Sequence, residues 1–168
     1  KPQLGFNEYK FPPEKTIYLS LLEQNDIHLS TDNFIQPNEK NKFNFLWAES
    51  NSFLSSAKIS RRRLSEFVDV LSKRPFKLKQ GLSDFWIPTF LFIKRDDYAL
   101  FSDAGYIPFI NDEVLELVAK NPAAYEIKTF DIEGIKLDIF NRYRVFLDQE
   151  IKEKLNGPTF IETINKTF

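Results

Sequence analysis

Residues 58–109 read KISRRRLSEFVDVLSKRPFKLKQGLSDFWIPTFLFIKRDDYALFSDAGYIPF, and this stretch decides the fold. Leu64, Phe67, Val68 and Leu71 recur at helical spacing with charge on the other face, so Arg61, Arg62 and Arg63 are expected at the start of an amphipathic helix. Ser72-Lys73-Arg74-Pro75 stops that helix, because the residue before a proline resists the α conformation. Lys77 to Gly81 reads as a turn. Leu82 to Ile93 follows as a second helix, apolar on nearly every side and therefore expected in the interior, with Pro88 kinking it or marking its first turn. Tyr98 to Phe101 and Tyr106 to Phe109, parted by Ser102-Asp103-Ala104-Gly105, form two strands of a hairpin.

Toward the N-terminus, Pro13 and Glu14 suit a helix start, and Thr16 to Gln24, apolar at Ile17, Leu21 and Leu22, makes a short first helix. Asn25 to Lys42 is polar apart from Phe34 and Ile35, which fits a long loop or a ragged hairpin. Phe43, Leu46, Trp47, Phe53 and Leu54 support a further helix reaching Ala57. Toward the C-terminus, Asn111, Asp112 and Glu113 cap a helix that ends in Lys120, a charge order that suits the helix dipole. Tyr125, Ile127 and Thr129 then alternate with Glu126, Lys128 and Phe130, a third strand beside the hairpin. Ile135, Ile139, Tyr143 and Phe146 fit a helix, although Gly134 also permits a strand start. Gly157-Pro158 breaks the chain before a last segment with Phe160, Ile161 and Ile164.

A chain of 168 residues buries one good core rather than two large ones. Eighteen Phe residues imply an aromatic interior, and base composition alone would also enrich Phe, Lys, Asn and Ile. The lack of cysteine removes disulfides, thiol catalysis and Cys-based zinc sites. Lys1 to Gly5 is not a leader pattern, and the apolar run Phe85 to Ile93 is too short to span a bilayer, so a cytoplasmic setting is expected. The absence of methionine and the ending at Asn165 to Phe168 suggest a piece of a longer protein.

Charge is uneven. Lys58 to Arg95 holds ten bases against three acids, a balance of +7. Residues 96–168 hold eight bases against fourteen acids, a balance of −6, and residues 1–57 five against seven, so the net charge of −1 conceals a basic middle and an acidic tail.

Few motifs carry chemistry. Gly5, Gly81, Gly105, Gly134 and Gly157 are too scattered to build either a GxGxxG or a Walker loop. The single histidine, His28, sits beside Asp26 with no second histidine or cysteine to complete a zinc site, and a loop residue without a role is the simpler account. Asp96, Asp97, Asp103, Asp112, Glu113 and Glu116 invite a magnesium or glycosidase picture, but capping accounts for Asp112 and Glu113. No catalytic residue, metal or cofactor is therefore expected. The candidate site is the basic set Arg61, Arg62, Arg63, Lys73, Arg74, Lys77 and Lys79. A helix start is the less favourable end for three arginines, and phosphate backbones need this kind of footprint. Base readout by the second helix is not expected, since Leu82, Phe85, Trp86, Ile87, Phe90, Leu91 and Phe92 leave only Ser83, Asp84 and Thr89 polar. A solvated basic face, or one docked on an acidic protein surface, remains the alternative.

The order of these pieces is winged-helix-like. In Leu64 to Leu71, Arg74 to Gly81, Asp97 to Phe101, Gly105 to Phe109, and Asn121-Pro122 with Tyr125 to Ile127, the chain resembles a winged-helix-like region that follows the ATPase core of large bacterial P-loop proteins. Some of those proteins belong to phage-defence or DNA-maintenance systems. The resemblance covers about Arg61 to Lys128, and more weakly Thr159 to Ile164; it rests on turn residues and apolar pattern, and Lys77 stands where that family usually has glycine. No functional residue of the family carries over. The resemblance implies a non-catalytic accessory region that contacts DNA backbone or a partner protein, or else a structural, self-associating element. The fold expected is α+β and mostly helical, with a winged-helix-like core and a small antiparallel sheet. Residues 1–57 would be a helical lead-in packed on the core, 58–130 the winged-helix-like module, and 131–168 a C-terminal helical segment cut short.

Overall fold

A computed structural model of the chain describes residues 9–10, 12–25, 27, 29–30, 33–34, 41, 43–129, 135–152, 159, 162–163 and 166. It divides into two compact units, Lys1–Glu49 and Ser50–Phe168. The first unit opens with α1 (Pro13–Ile17), which widens into a π turn over Tyr18–Leu22 and tightens into a 3₁₀ turn over Glu23–Asn25. A two-residue antiparallel pairing follows, β1 (Leu29–Ser30) against β2 (Asn33–Phe34), with Leu29 opposite Phe34; most of Asn25 to Lys42, expected as a long loop or ragged hairpin, lies outside the described residues. Helix α2 (Asn44–Ser56) begins in the first unit and ends in the second.

The second unit runs from the end of α2 through β3 (Arg62–Arg63), α3 (Leu64–Ser72), α4 (Gln80–Ile93), β4 (Tyr98–Ser102), β5 (Gly105–Ile107), α5 (Asp112–Lys120), β6 (Tyr125–Thr129) and α6 (Ile135–Phe146). The fold is α+β, mostly helical, with a small antiparallel sheet in the order β3-β6-β4-β5. β6 therefore lies between the hairpin and the arginine strand. Its register places Ile127 opposite both Arg62 and Leu100. Gly105 takes φ +113° at the hairpin turn, where a side chain would strain the backbone.

Aromatic packing builds the core, as the Phe content implied. Phe53 of α2 stacks on Phe67 of α3 at 4.6 Å, and Phe67 meets Phe90 of α4 edge-on at 5.9 Å. Trp86 is wholly buried and donates its indole N–H to the buried Ser50 hydroxyl at 3.0 Å, so a polar edge is satisfied without reaching water. Tyr98, buried at the start of β4, donates its hydroxyl to the Leu91 carbonyl at 3.0 Å and ties α4 to the sheet. Thr129 makes the corresponding tie to α2, through its amide to Ala57 and its hydroxyl to Leu54.

Several boundaries differ from the sequence expectation. Arg62 and Arg63 do not start a helix; they are extended and pair with β6, and Arg63 caps α3 with φ −74° and ψ 140°. Helix α4 begins at Gln80, so Gly81 lies in its first turn. Pro88 is in the body of α4, not its first turn. Burial of α4 is deep but one-sided: Ser83, Trp86, Ile87, Phe90 and Leu91 are buried, whereas Asp84 and Phe92 are open to solvent. The strand expected over Tyr106 to Phe109 stops at Ile107, because Pro108 has no N–H to add to the ladder. Helix α5 and strand β6 occupy the expected positions, with the Val114 amide donating to the Asn111 side chain at 2.9 Å. Helix, not strand, is the outcome for α6; Gly134, Gly157, Phe160, Ile161 and Ile164 lie outside the described residues.

Candidate functional site

The seven basic residues singled out in the sequence fall at the two ends of α3, which at nine residues is about 13 Å long. At its N-terminal end the three arginines are engaged by the fold. Arg61 lies over the Phe101 ring, 3.7 Å from the centroid. Arg62 pairs with Glu66 at 2.6 Å, one turn along α3, and also approaches the Phe53 ring at 5.8 Å. Arg63 reaches across the sheet to Glu126 at 3.4 Å, and its backbone amide donates to the Glu66 carboxylate. Three cations at the positive end of a helix are thus balanced by two carboxylates and two aromatic faces.

The C-terminal end of α3 is different. Lys73, Arg74, Lys77 and Lys79 are all exposed, and among the described residues none of them makes an ion pair. A tight turn holds them together: the Lys77 amide donates to the Lys73 carbonyl at 2.8 Å, and the Leu78 amide to the Leu71 carbonyl at 3.0 Å. Lys77 closes this turn in the left-handed conformation, φ 48°, which glycine adopts more readily than lysine. Lys79 is the N-cap of α4, and no side chain caps that end. No acid lies in the first turn of α4 to balance the exposed amides. The turn therefore places four ammonium and guanidinium groups, unpaired among the described residues, beside an uncapped helix start.

The remaining chemistry-bearing residues are structural or isolated. Asp97 pairs with Lys94 at 3.2 Å in the turn before β4, and Glu116 with Lys120 at 2.6 Å on α5. No group of three or more His, Asp or Glu among the described residues could hold a metal ion. His28 and Asp26 lie outside the described residues. Sequence reading missed one buried cation, Arg144 of α6. Its Nε donates to the Glu150 carbonyl at 2.9 Å, Nη1 to the Thr163 hydroxyl at 2.6 Å and Nη2 to the Glu162 carboxylate at 3.0 Å. Its donors are taken up by the chain, so Arg144 is a clamp. Nothing in its sequence context marks it, because two of its four partners are the backbone carbonyls of Glu150 and Thr159, which no side-chain pattern announces.

Comparison with known proteins finds no matching family model, no matching curated protein and no matching solved structure. No helix among the described residues is long and apolar enough to cross a membrane.

Proposed function

We propose that this chain is a non-catalytic interaction module that grips the phosphate backbone of duplex DNA through the α3–α4 turn. The observation that carries it is the unbalanced set Lys73, Arg74, Lys77 and Lys79, held in one turn and free of carboxylate partners among the described residues. Phosphates supply the negative charge that the chain itself withholds from this place, and each contact releases a counterion. Lys77 adds support. A lysine persists at a backbone position where glycine is less strained, which is expected when the side chain itself has work outside the fold.

The order α2, β3, α3, α4, β4 with β6 returning between β3 and β4 supports a winged-helix-like core, and β5 with α5 is then an insertion between the last two strands. In a helix-turn-helix the N-terminal end of the second helix is the part brought to DNA, and the basic turn adjoins that end of α4. Here α4 offers no polar face for reading bases, so recognition is of backbone and not of sequence. The setting that fits is an accessory region of a larger bacterial ATP-dependent protein in the cytoplasm, of the phage-defence or DNA-maintenance kind.

A second reading, a structural element whose basic turn docks on an acidic protein surface, is favoured by the internal neutralisation of Arg61, Arg62 and Arg63, which leaves four cations where seven were available. Fluorescence anisotropy with labelled duplexes of unrelated sequence separates the two. DNA contact predicts binding at micromolar protein in about 50 mM salt, equal across sequences. Absence of binding under those conditions rejects DNA and leaves the protein-docking element.

A further inference from the structure

The four-stranded sheet has one face packed on the core and one that is partly open. Tyr98, Leu100, Ile127 and Thr129 are buried on the packed face. Register sets Arg63, Glu126, Phe101 and Tyr106 side by side on the other face, one from each strand in the order β3-β6-β4-β5. At the usual strand spacing this row is about 14 Å long. Phe101 is half-buried and Tyr106 is 45% exposed. Their rings lie 5.6 Å apart and tilted by 52°, so neither covers the face of the other. Toward the start of β4 the same face closes over, with Ala99 buried, and the open part is this row.

Charge and shape decide what the row takes. Arg61 is exposed, lies 3.7 Å from the centre of the Phe101 ring, and among the described residues pairs with no carboxylate. A guanidinium that close stacks on the ring and makes a second planar surface near Tyr106. Glu126, the one acid of the row, is engaged by Arg63 at 3.4 Å, and Arg63 stays largely solvated, so the row is cationic. Asp103 lies off the row, in the hairpin turn. A protein partner would need a broader apolar patch than two rings, one of them half-buried. An unpaired base offers a planar π face, and its phosphate supplies the matching charge. We propose that this open row is a stacking platform for single-stranded nucleic acid, with an unpaired base on Tyr106 and Arg61 and with Arg61 and Arg63 drawing its phosphates. A duplex keeps its bases stacked inside and has no free face to offer, so the platform goes beyond the backbone grip of the α3–α4 turn.

The probe is labelled oligothymidylate, which forms no duplex, followed by fluorescence anisotropy. The chain should bind it. Tyr106→Val, which suits a strand but has no π face, should weaken that binding about tenfold, whereas Tyr106→Phe should bind as the parent does. Affinity for blunt duplex should be the same in Tyr106→Val and the parent. A strand with iodouracil in place of one thymine should cross-link on irradiation to Tyr106 or Phe101 of the unmutated chain, a readout that no folding defect can mimic. With Lys73, Arg74, Lys77 and Lys79 changed to Gln, the effect of Tyr106→Val on oligothymidylate should persist, so failure of the duplex reading and failure of the platform are told apart. The proposal is overturned by absence of oligothymidylate binding, by binding that Tyr106→Val leaves intact or Tyr106→Phe abolishes, by cross-links that fall only outside the row, or by an equal loss of duplex affinity in Tyr106→Val. Thymidine monophosphate competing as well as the strand would make the ligand a free nucleotide, and would overturn it too.

Discussion

The two ends of α3 carry nearly the same density of positive charge and do opposite things with it. Arg61, Arg62 and Arg63 are drawn into the fold by Phe101, Glu66 and Glu126. Lys73, Arg74, Lys77 and Lys79 have no such partners among the described residues and stand together in a turn whose own geometry is mildly unfavourable. The difference lies in long-range pairing. Glu126 is far away in sequence and meets Arg63 only because β6 pairs with β3. A basic cluster on paper is thus divided by topology into charge that holds the molecule together and charge that is left to bind something else.

The most severe challenge to this contrast is to remove one cluster at a time. Changing Lys73, Arg74, Lys77 and Lys79 together to Gln should lower duplex affinity by about a hundredfold at low salt, with the thermal midpoint almost unmoved, since none of the four has an ion-pair partner to lose among the described residues. Equal loss from neutralising the arginine end would erase the distinction.

A second test asks if the turn stands on a rigid base. The Tyr98 hydroxyl fastens β4 to the end of α4, and Tyr98→Phe should cost about 1 kcal/mol in denaturant unfolding. Burial also holds the Tyr98 hydroxyl above the ordinary phenol range, with Asp96 adding to the effect and Arg95 opposing it. The unfolded chain then loses this proton first as the pH passes about 10, so stability falls from there upward, by at most about 1.4 kcal/mol per pH unit. Tyr98→Phe should flatten that alkaline decline; an unchanged decline would assign it to other groups.

Lys77→Gly sharpens the comparison further, because the two properties should move in opposite directions. Relief of the left-handed strain should raise stability by about 0.5–1 kcal/mol, while the loss of one cation weakens DNA binding severalfold. A variant that is less stable, or that binds as before, would contradict the role given to Lys77. Smallest of all is Arg62→Ala. Its ion pair with Glu66 is partly solvated, so about 0.5 kcal/mol of stability should be lost, with affinity for DNA within about threefold of the parent.

Much of this architecture could be read from periodicity. The stripe Leu64, Phe67, Leu71 and the cap at Asn111 are local signals, and α3 and α5 obey them. The strand β3 was not legible, since two residues carry no periodicity and only β6 makes them a strand. The same holds for Arg144, whose burial depends on backbone carbonyls that no side-chain pattern announces. For the candidate site the sequence named the right residue types but could not divide them, because pairing with Glu126 and Phe101 is a tertiary event. Ile139, Tyr143 and Phe146 were visible as a helix signal, yet the side of α6 that turns inward is set by the Arg144 clamp.

The contrast between the two ends of α3 is tested most directly by the salt dependence of duplex binding. Plotted as log affinity against log salt, four backbone contacts give a slope of about −3.6. That slope should collapse toward zero when Lys73, Arg74, Lys77 and Lys79 are neutralised and persist when Arg61, Arg62 and Arg63 are. The reverse pattern, or a slope that neither set of substitutions changes, would contradict the account.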